Sequence, residues 1–235
     1  VNAAQRLVDL RAYRADLRAT AQGKPASKAS QSVFVPLGAI IERHQLPLNL
    51  LTDLLDAFEQ DVRFTFEQRR YADDAELLDY CRRSANPIGR LLLHLYDIHD
   101  AQALAQSDQI CTALQLINFW QDVSVDVARD RWYPSTQAMQ VACVTDADLQ
   151  PGSHSENARQ LIAIYACEAR ATMLKGSQLC KQVPGRAGWE LRLVMQGGLR
   201  ILDKIEQLQF ATWRGRPKLT AWDVPVILWR AMWMR

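Results

Sequence analysis

Gln115-Leu-Ile-Asn118-Phe-Trp-Gln121-Asp122-Val-Ser-Val-Asp126 places two amides and two carboxylates at positions 115, 118, 122 and 126. Steps of three, four and four bring all of them onto one face of an α-helix. Leu116, Ile117, Phe119 and Val123 point in other directions and are candidates for burial. A polar row inside so apolar a helix is costly unless something binds it. Two carboxylates one turn apart also repel, and a divalent cation relieves that repulsion. Oxygen donors of this kind suit Mg²⁺, which keeps waters and takes phosphate oxygens as further ligands. The competing reading is a solvated stripe on an amphipathic helix. Against it, Gln115 and Asn118 stand where such a helix carries Lys, Glu or Arg, and the rest of the helix is apolar around most of its surface.

Helical periodicity continues on both sides of this stretch. Upstream, residues 2–20 read as a surface helix carrying Leu7, Leu10 and Leu17, closed by Gly23 and Pro25, with a loop over Lys24–Ser32. A short apolar helix is expected at 36–44. Pro47 opens another that carries Leu50 to Phe58 and has Asp61 near its end. Asp73 and Asp74 start a helix through Cys81; Asn86-Pro87 interrupts it with a kink, and Ile88–Leu95 resumes it. Ser107 is the expected cap of the helix that runs to about Asp126. Downstream, a loop through Arg131 and Pro134 precedes a short helix near 135–141 and a long one over 155–182. Pro184-Gly185 breaks the latter; Glu190–Thr212 is helical, with Gly197-Gly198 as a point of close backbone approach, and Trp222–Trp233 closes the chain.

No convincing strand, internal repeat or low-complexity segment appears, so the fold class is all-α, in a single domain over 1–235. The chain has 235 residues, 49% apolar and 23% charged, a globular balance that excludes a disordered tail. Its net charge of +2 gives no ground for nucleic-acid binding. No apolar run is long enough to span a bilayer, and no signal peptide is visible. The dispersed cysteines Cys81, Cys111, Cys143, Cys167 and Cys180 read as reduced, mostly buried thiols of a cytoplasmic protein.

Three segments in order resemble the squalene and phytoene synthase family. Leu114–Asp126 is similar to that family's second aspartate-rich motif. Tyr80-Cys-Arg-Arg-Ser-Ala-Asn-Pro-Ile-Gly89 resembles its Tyr-Cys segment, and Arg131-Trp-Tyr133-Pro resembles the Gly-Arg-x-Tyr loop that follows the second motif. The resemblance extends over essentially the whole chain, including Glu190–Leu202. Within the family, Cys-Arg-Arg-Ser-Ala-Asn-Pro and Asn-Phe-Trp-Gln-Asp resemble the bacterial hydroxysqualene synthases of hopanoid biosynthesis. The chain also departs from the family pattern. Gln121 stands where arginine is usual, Val125 where an acidic residue is usual, Asn86-Pro87 in place of a small glycine, and Asp130 in place of the glycine before the loop arginine. The first aspartate-rich motif is not recognisable: Asp9 and Asp16 lack its spacing. The chain is therefore expected to begin in the helix after that motif, with about 50 residues of the family domain preceding it.

The resemblance implies an isoprenoid synthase bundle around a central apolar cavity and a long-chain prenyl diphosphate as substrate. It further implies Mg²⁺ on Asn118, Asp122 and Asp126, with Gln115 assisting. Arg131 and Gln121 would contact diphosphate or an attacking water, and Tyr80 and Tyr133 would donate hydrogen bonds or face a carbocation. Presqualene diphosphate plus water giving hydroxysqualene is the implied reaction, the class being lyase, with other hopanoid-pathway enzymes as partners. The alternatives are transferase chemistry, head-to-head condensation of two farnesyl diphosphates, and a non-catalytic helical protein that binds a lipid or partner. Arg131 also has a plainer reading as a loop arginine paired with Asp126 or Asp130, and Tyr80 as a satisfied core tyrosine. His94 and His99 lack spaced ligand partners and read as structural or surface residues, and Arg82 and Arg83 read as solvated. The tail Trp222–Met234 is expected to pack on the body, with peripheral contact at the inner face of a membrane as its other use.

Overall fold

The computed structural model describes residues 2–234. Among them every regular element is helical: α1 Ala3–Ala21, α2 Gln31–His44, α3 Leu48–Glu67, α4 Asp74–Ser84, α5 Asn86–Leu95, α6 Ala101–Gln121, α7 Val123–Val127, α8 Thr136–Val141, α9 Glu156–Lys175, α10 Leu179–Gln182, α11 Gly185–Gln207 and α12 Val224–Trp233. Several starts are set by side chains that take up free backbone N–H groups. Asp73 accepts from Glu76 N, Asp100 from Ala103 N, and Ser155 from Ala158 N. The cap of α6 is thus Asp100, not Ser107. Ser107 lies buried inside the helix, because the periodicity already runs through Ala103.

Helix α6 is the axis of the molecule. Ile110, Ala113, Leu116, Ile117, Phe119 and Trp120 are buried around its circumference, as expected of a helix covered on most sides. Helices α4, α5, α9 and α11 pack against it. Two glycines allow the close approach. A Cβ on Gly89 of α5 would run into Ser107 and Cys111 of α6. One on Gly198 of α11 would stand 3.1 Å from both Leu114 and Met173. Gly197, paired with Gly198 in the sequence reading, meets only Leu219, at an ordinary 3.9 Å. The rings of Trp120 and Tyr165 stack at 4.1 Å and lock α6 to α9, while the Tyr165 hydroxyl donates to Asp74 on α4 at 2.8 Å. A smaller cluster of Leu17, Ala26, Phe34 and Ile41 joins α1 to α2. Asp16 accepts from Ser27 and Ser30 there, so it is spent on holding the connecting loop.

Other boundaries differ from expectation for identifiable reasons. Helix α2 begins at Gln31 and carries Pro36 within its second turn. Asn86-Pro87 does not kink one helix but separates two: Ala85 leaves helical geometry, and Pro87 falls in the first turn of α5, where no N–H is needed. The long downstream helix ends at Lys175, and α11 starts at Gly185 rather than Glu190. Cys143 and Cys167 are exposed, so the thiols are less uniformly buried than expected. Helix α12 rests on the body through Ala231 and an Arg230–Asp203 ion pair of 2.7 Å. Its Trp229 and Trp233, and Trp222 just before it, nevertheless face solvent. No helix among the described residues is long and apolar enough to cross a membrane.

The α5–α6 contact provides a direct check. Gly89→Ala must displace the Ser107 hydroxyl and the Cys111 thiol in the core and is expected to cost about 1–3 kcal/mol in urea denaturation; an unchanged midpoint contradicts the packing described.

Candidate active site

The polar row is positioned where α6 gives way to α7. The helix expected to run unbroken to Asp126 bends at Asp122, which ends α6 and precedes α7. Backbone hydrogen bonds Asp122 N to Asn118 O at 3.0 Å and Asp126 N to Asp122 O at 2.8 Å carry the helical path through the bend. The three- and four-residue spacing therefore survives it. Asn118 is exposed, Gln115 half-buried, and Asp122 and Asp126 half-buried. Burial, then the neighbouring Asp122 carboxylate, pushes the Asp126 carboxyl up to about 6, against the opposing pull of Arg131, Arg129 and Arg216.

The Arg131 loop returns beside this pair. Arg131 N donates to Asp126 O at 2.9 Å, and Tyr133 lies flat on Phe119 of α6 with ring centres 3.8 Å apart. Asp130 holds φ at +55°, the left-handed region that glycine adopts most readily. On the opposite wall the Tyr80 hydroxyl donates to Asp61 of α3 at 3.0 Å. Burial raises the Asp61 carboxyl, the Tyr80 hydrogen bond and the charges of Arg131 and Arg6 opposing it. Burial likewise raises the Tyr71, Tyr80 and Tyr133 hydroxyls far above the usual phenol range, so all three keep their protons. Arg131 thus stands in the field of both Asp61 and Asp126.

Asp61, Tyr71 and Arg216 were not singled out from the sequence as site residues. Asp61 had a legible signal: it falls four residues after buried Ala57 and three before Phe64, on the inward face of α3. Arg216 had none, since only folding brings its Nε to 2.5 Å from Asp122 Oδ1. One expectation is corrected outright. Gln121 does not reach toward substrate; it is buried, and its Nε2 donates to Pro217 O at 2.7 Å. One helical step from Asp122 turns it away from the polar row. The cleft bordered by Asp61, Phe64, Tyr71, Arg131 and Tyr133 has a volume of about 20 Å³, room for a water, so the expected central apolar cavity is not open at this point. Stacking of Tyr133 on Phe119, with Tyr71 beside them, fills the space at this point.

Two carboxylates and an amide make a one-sided oxygen set for a metal. Asp122 Oδ1 is buried and takes no hydrogen bond of good geometry, its compensation being the charge of Arg216. That, with the mutual repulsion of the pair, fits a hard cation that completes its shell from water and phosphate. No group of three or more His, Cys, Asp or Glu side chains suited to a metal occurs among the described residues.

The all-helical bundle that carries the acidic pair and the returning arginine loop has the fold of squalene/phytoene synthase-type structures. Residues 1–223 match the squalene/phytoene synthase family, and the chain belongs to that family. The hydroxysqualene synthase of Sinorhizobium fredii is 31% identical over 192 residues, covering 80% of this chain and 61% of that protein. That of Zymomonas mobilis is 31% identical over 175 residues, covering 73% of this chain and 55% of that protein. The chain thus spans less than two thirds of either relative's length. The crystal structure of the squalene synthase HpnC from Alicyclobacillus acidocaldarius superposes with a TM-score of 0.77 at 31% identity, covering 86% of this chain and 73% of that one.

The raised Asp126 carboxyl has a thermodynamic consequence. A carboxyl harder to ionise folded than unfolded favours folding most below about pH 4, and that advantage is lost as pH rises through 6. A fully dry group would cost about 3 kcal/mol, and solvent access lowers this to roughly 1 kcal/mol. Asp126→Asn without metal is expected to exceed the parent in stability by about that amount at pH 8, with the gap closing toward pH 4; parallel stability curves exclude the effect. Asp130→Gly is expected to add about 0.5–1 kcal/mol by relieving the left-handed backbone, read as a shift in the thermal midpoint.

Proposed function

We propose that the protein acts on a long prenyl diphosphate, and that its reaction is the conversion of presqualene diphosphate and water to hydroxysqualene and diphosphate. The observation that carries this reading is the Asp122–Asp126 pair, withdrawn from water beside Arg131 at the end of the central helix. The similarity to hydroxysqualene synthases supports the choice of substrate.

Asp122 and Asp126, with Asn118, would hold Mg²⁺, and Gln115 continues the same face. The metal, when bound, supplies the neutralisation that makes diphosphate a competent leaving group. Arg131 offers a fixed charge with forked donors to diphosphate oxygens. Tyr80, kept protonated, gives its one hydroxyl proton to Asp61, so toward substrate it offers its ring. Tyr133 stacks on Phe119 with Tyr71 beside it, so its service to a carbocation is through its hydroxyl. The aromatic wall excludes bulk water, which a carbocation would otherwise capture at random. Cleavage of the carbon–oxygen bond releases diphosphate, a carbon–carbon bond of the cyclopropane breaks as one water adds through oxygen, and the water's proton passes to a base such as the departing diphosphate. Peripheral contact with a membrane belongs to the same proposal: the outward rings of Trp222, Trp229 and Trp233 suit the headgroup level of a bilayer, where a lipid product leaves.

Purified protein supplied with presqualene diphosphate and Mg²⁺ is expected to release hydroxysqualene, and Asp122→Asn or Asp126→Asn to lower turnover about 10²–10³-fold. Product formed from farnesyl diphosphate but none from presqualene diphosphate would replace this reading with condensation chemistry.

A further inference from the structure

Gln121 and Asp122 are adjacent, and each contacts one of two adjacent residues far downstream, Pro217 and Arg216. The Gln121 amide donates to Pro217 O at 2.7 Å in a buried setting, across 96 positions of sequence. The Arg216 guanidinium sits 2.5 Å from Asp122 Oδ1. Pro217 is buried, while the Arg216 side chain is 41% exposed against 22% for Asp122. The segment just before, Thr212–Arg214, packs on α7. Residues 212–218 therefore form a strap pinned across the end of the acidic helix.

We propose that Gln121 is a positioning residue that pins this strap so that Arg216 acts as the resident counter-charge of Asp122, a charge that a metal ion must displace. The inference rests on Asp122 being a metal ligand. A carboxylate oxygen shut off from water requires a cation or a donor, and Arg216 is the cation in contact with this one. Both cannot be satisfied by the same oxygen at once. Because the guanidinium is the more exposed partner, it can swing into solvent at little cost while the Gln121–Pro217 bond keeps its backbone within reach. Arg216 would then return whenever the metal departs, sparing Asp122 an uncompensated charge.

The test is Mn²⁺ binding to the substrate-free protein, followed by water-proton relaxation. Arg216→Gln is expected to tighten Mn²⁺ about threefold to fivefold, the loss of a roughly 1 kcal/mol exposed ion pair. Arg216→Lys, which keeps the charge, is expected to restore most of the parent affinity. Gln121→Ala is expected to tighten binding by a smaller factor and to speed amide exchange over 214–219. The double variant is expected to match Arg216→Gln alone, since both act through one contact. Parent-like affinity in Arg216→Gln, with binding still abolished by Asp122→Asn, overturns the counter-charge while leaving the metal reading intact. Additive effects of Gln121→Ala and Arg216→Gln overturn the positioning role. Mn²⁺ binding that is absent throughout, or indifferent to Asp122→Asn, overturns the metal reading and this proposal together.

Discussion

The pair of carboxylates at the foot of α6 constrains much of what surrounds it. Asp122 and Asp126 are one turn apart and partly withdrawn from water, so their repulsion is poorly screened. The chain answers with guanidinium groups from separate places: Arg129 and Arg131 from the following loop, and Arg216 from a distant strap. Three cations are thus directed at two anions that their own helix cannot neutralise. An apolar helix end would need none of this, and the loop and strap would lose an electrostatic reason to lie where they do.

The aromatic packing serves the same region. Phe119 belongs to the buried side of α6, and its stack with Tyr133 fixes the loop that carries Arg131. Trp120 stacks on Tyr165, whose hydroxyl reaches Asp74, so the residue next to Phe119 binds α6 to α9 and to the start of α4. Successive aromatic residues therefore hold different walls. Face-to-face ring pairs contribute about 0.5–1.5 kcal/mol each beyond their buried area, and here they also fix the lateral position of charged neighbours.

The all-helical fold was legible because apolar periodicity and punctuation agreed along most of the chain. The apolar circumference of α6 and the place of Gly198 could be read directly from residue types. The cap at Ser107 was misread because serine is a good cap in isolation, whereas Asp100 competes for the same role seven residues earlier and the helix continues through Ser107. The polar row was legible because it is local. Gln121 was misjudged because sequence proximity to Asp122 suggested a shared task, while a helix turns successive side chains by about 100°. Arg216 lay beyond reach, since no local pattern encodes a contact made across more than 90 residues.

That long reach bears on synthesis as well as on the folded state. Gln121 finds its acceptor 96 residues downstream, so on the ribosome α6 emerges well before the strap that balances its charge. Until that later stretch leaves the exit tunnel, the acidic end of the central helix must stay hydrated. Its settling into the interior is therefore a late, non-local event that waits for the strap to emerge.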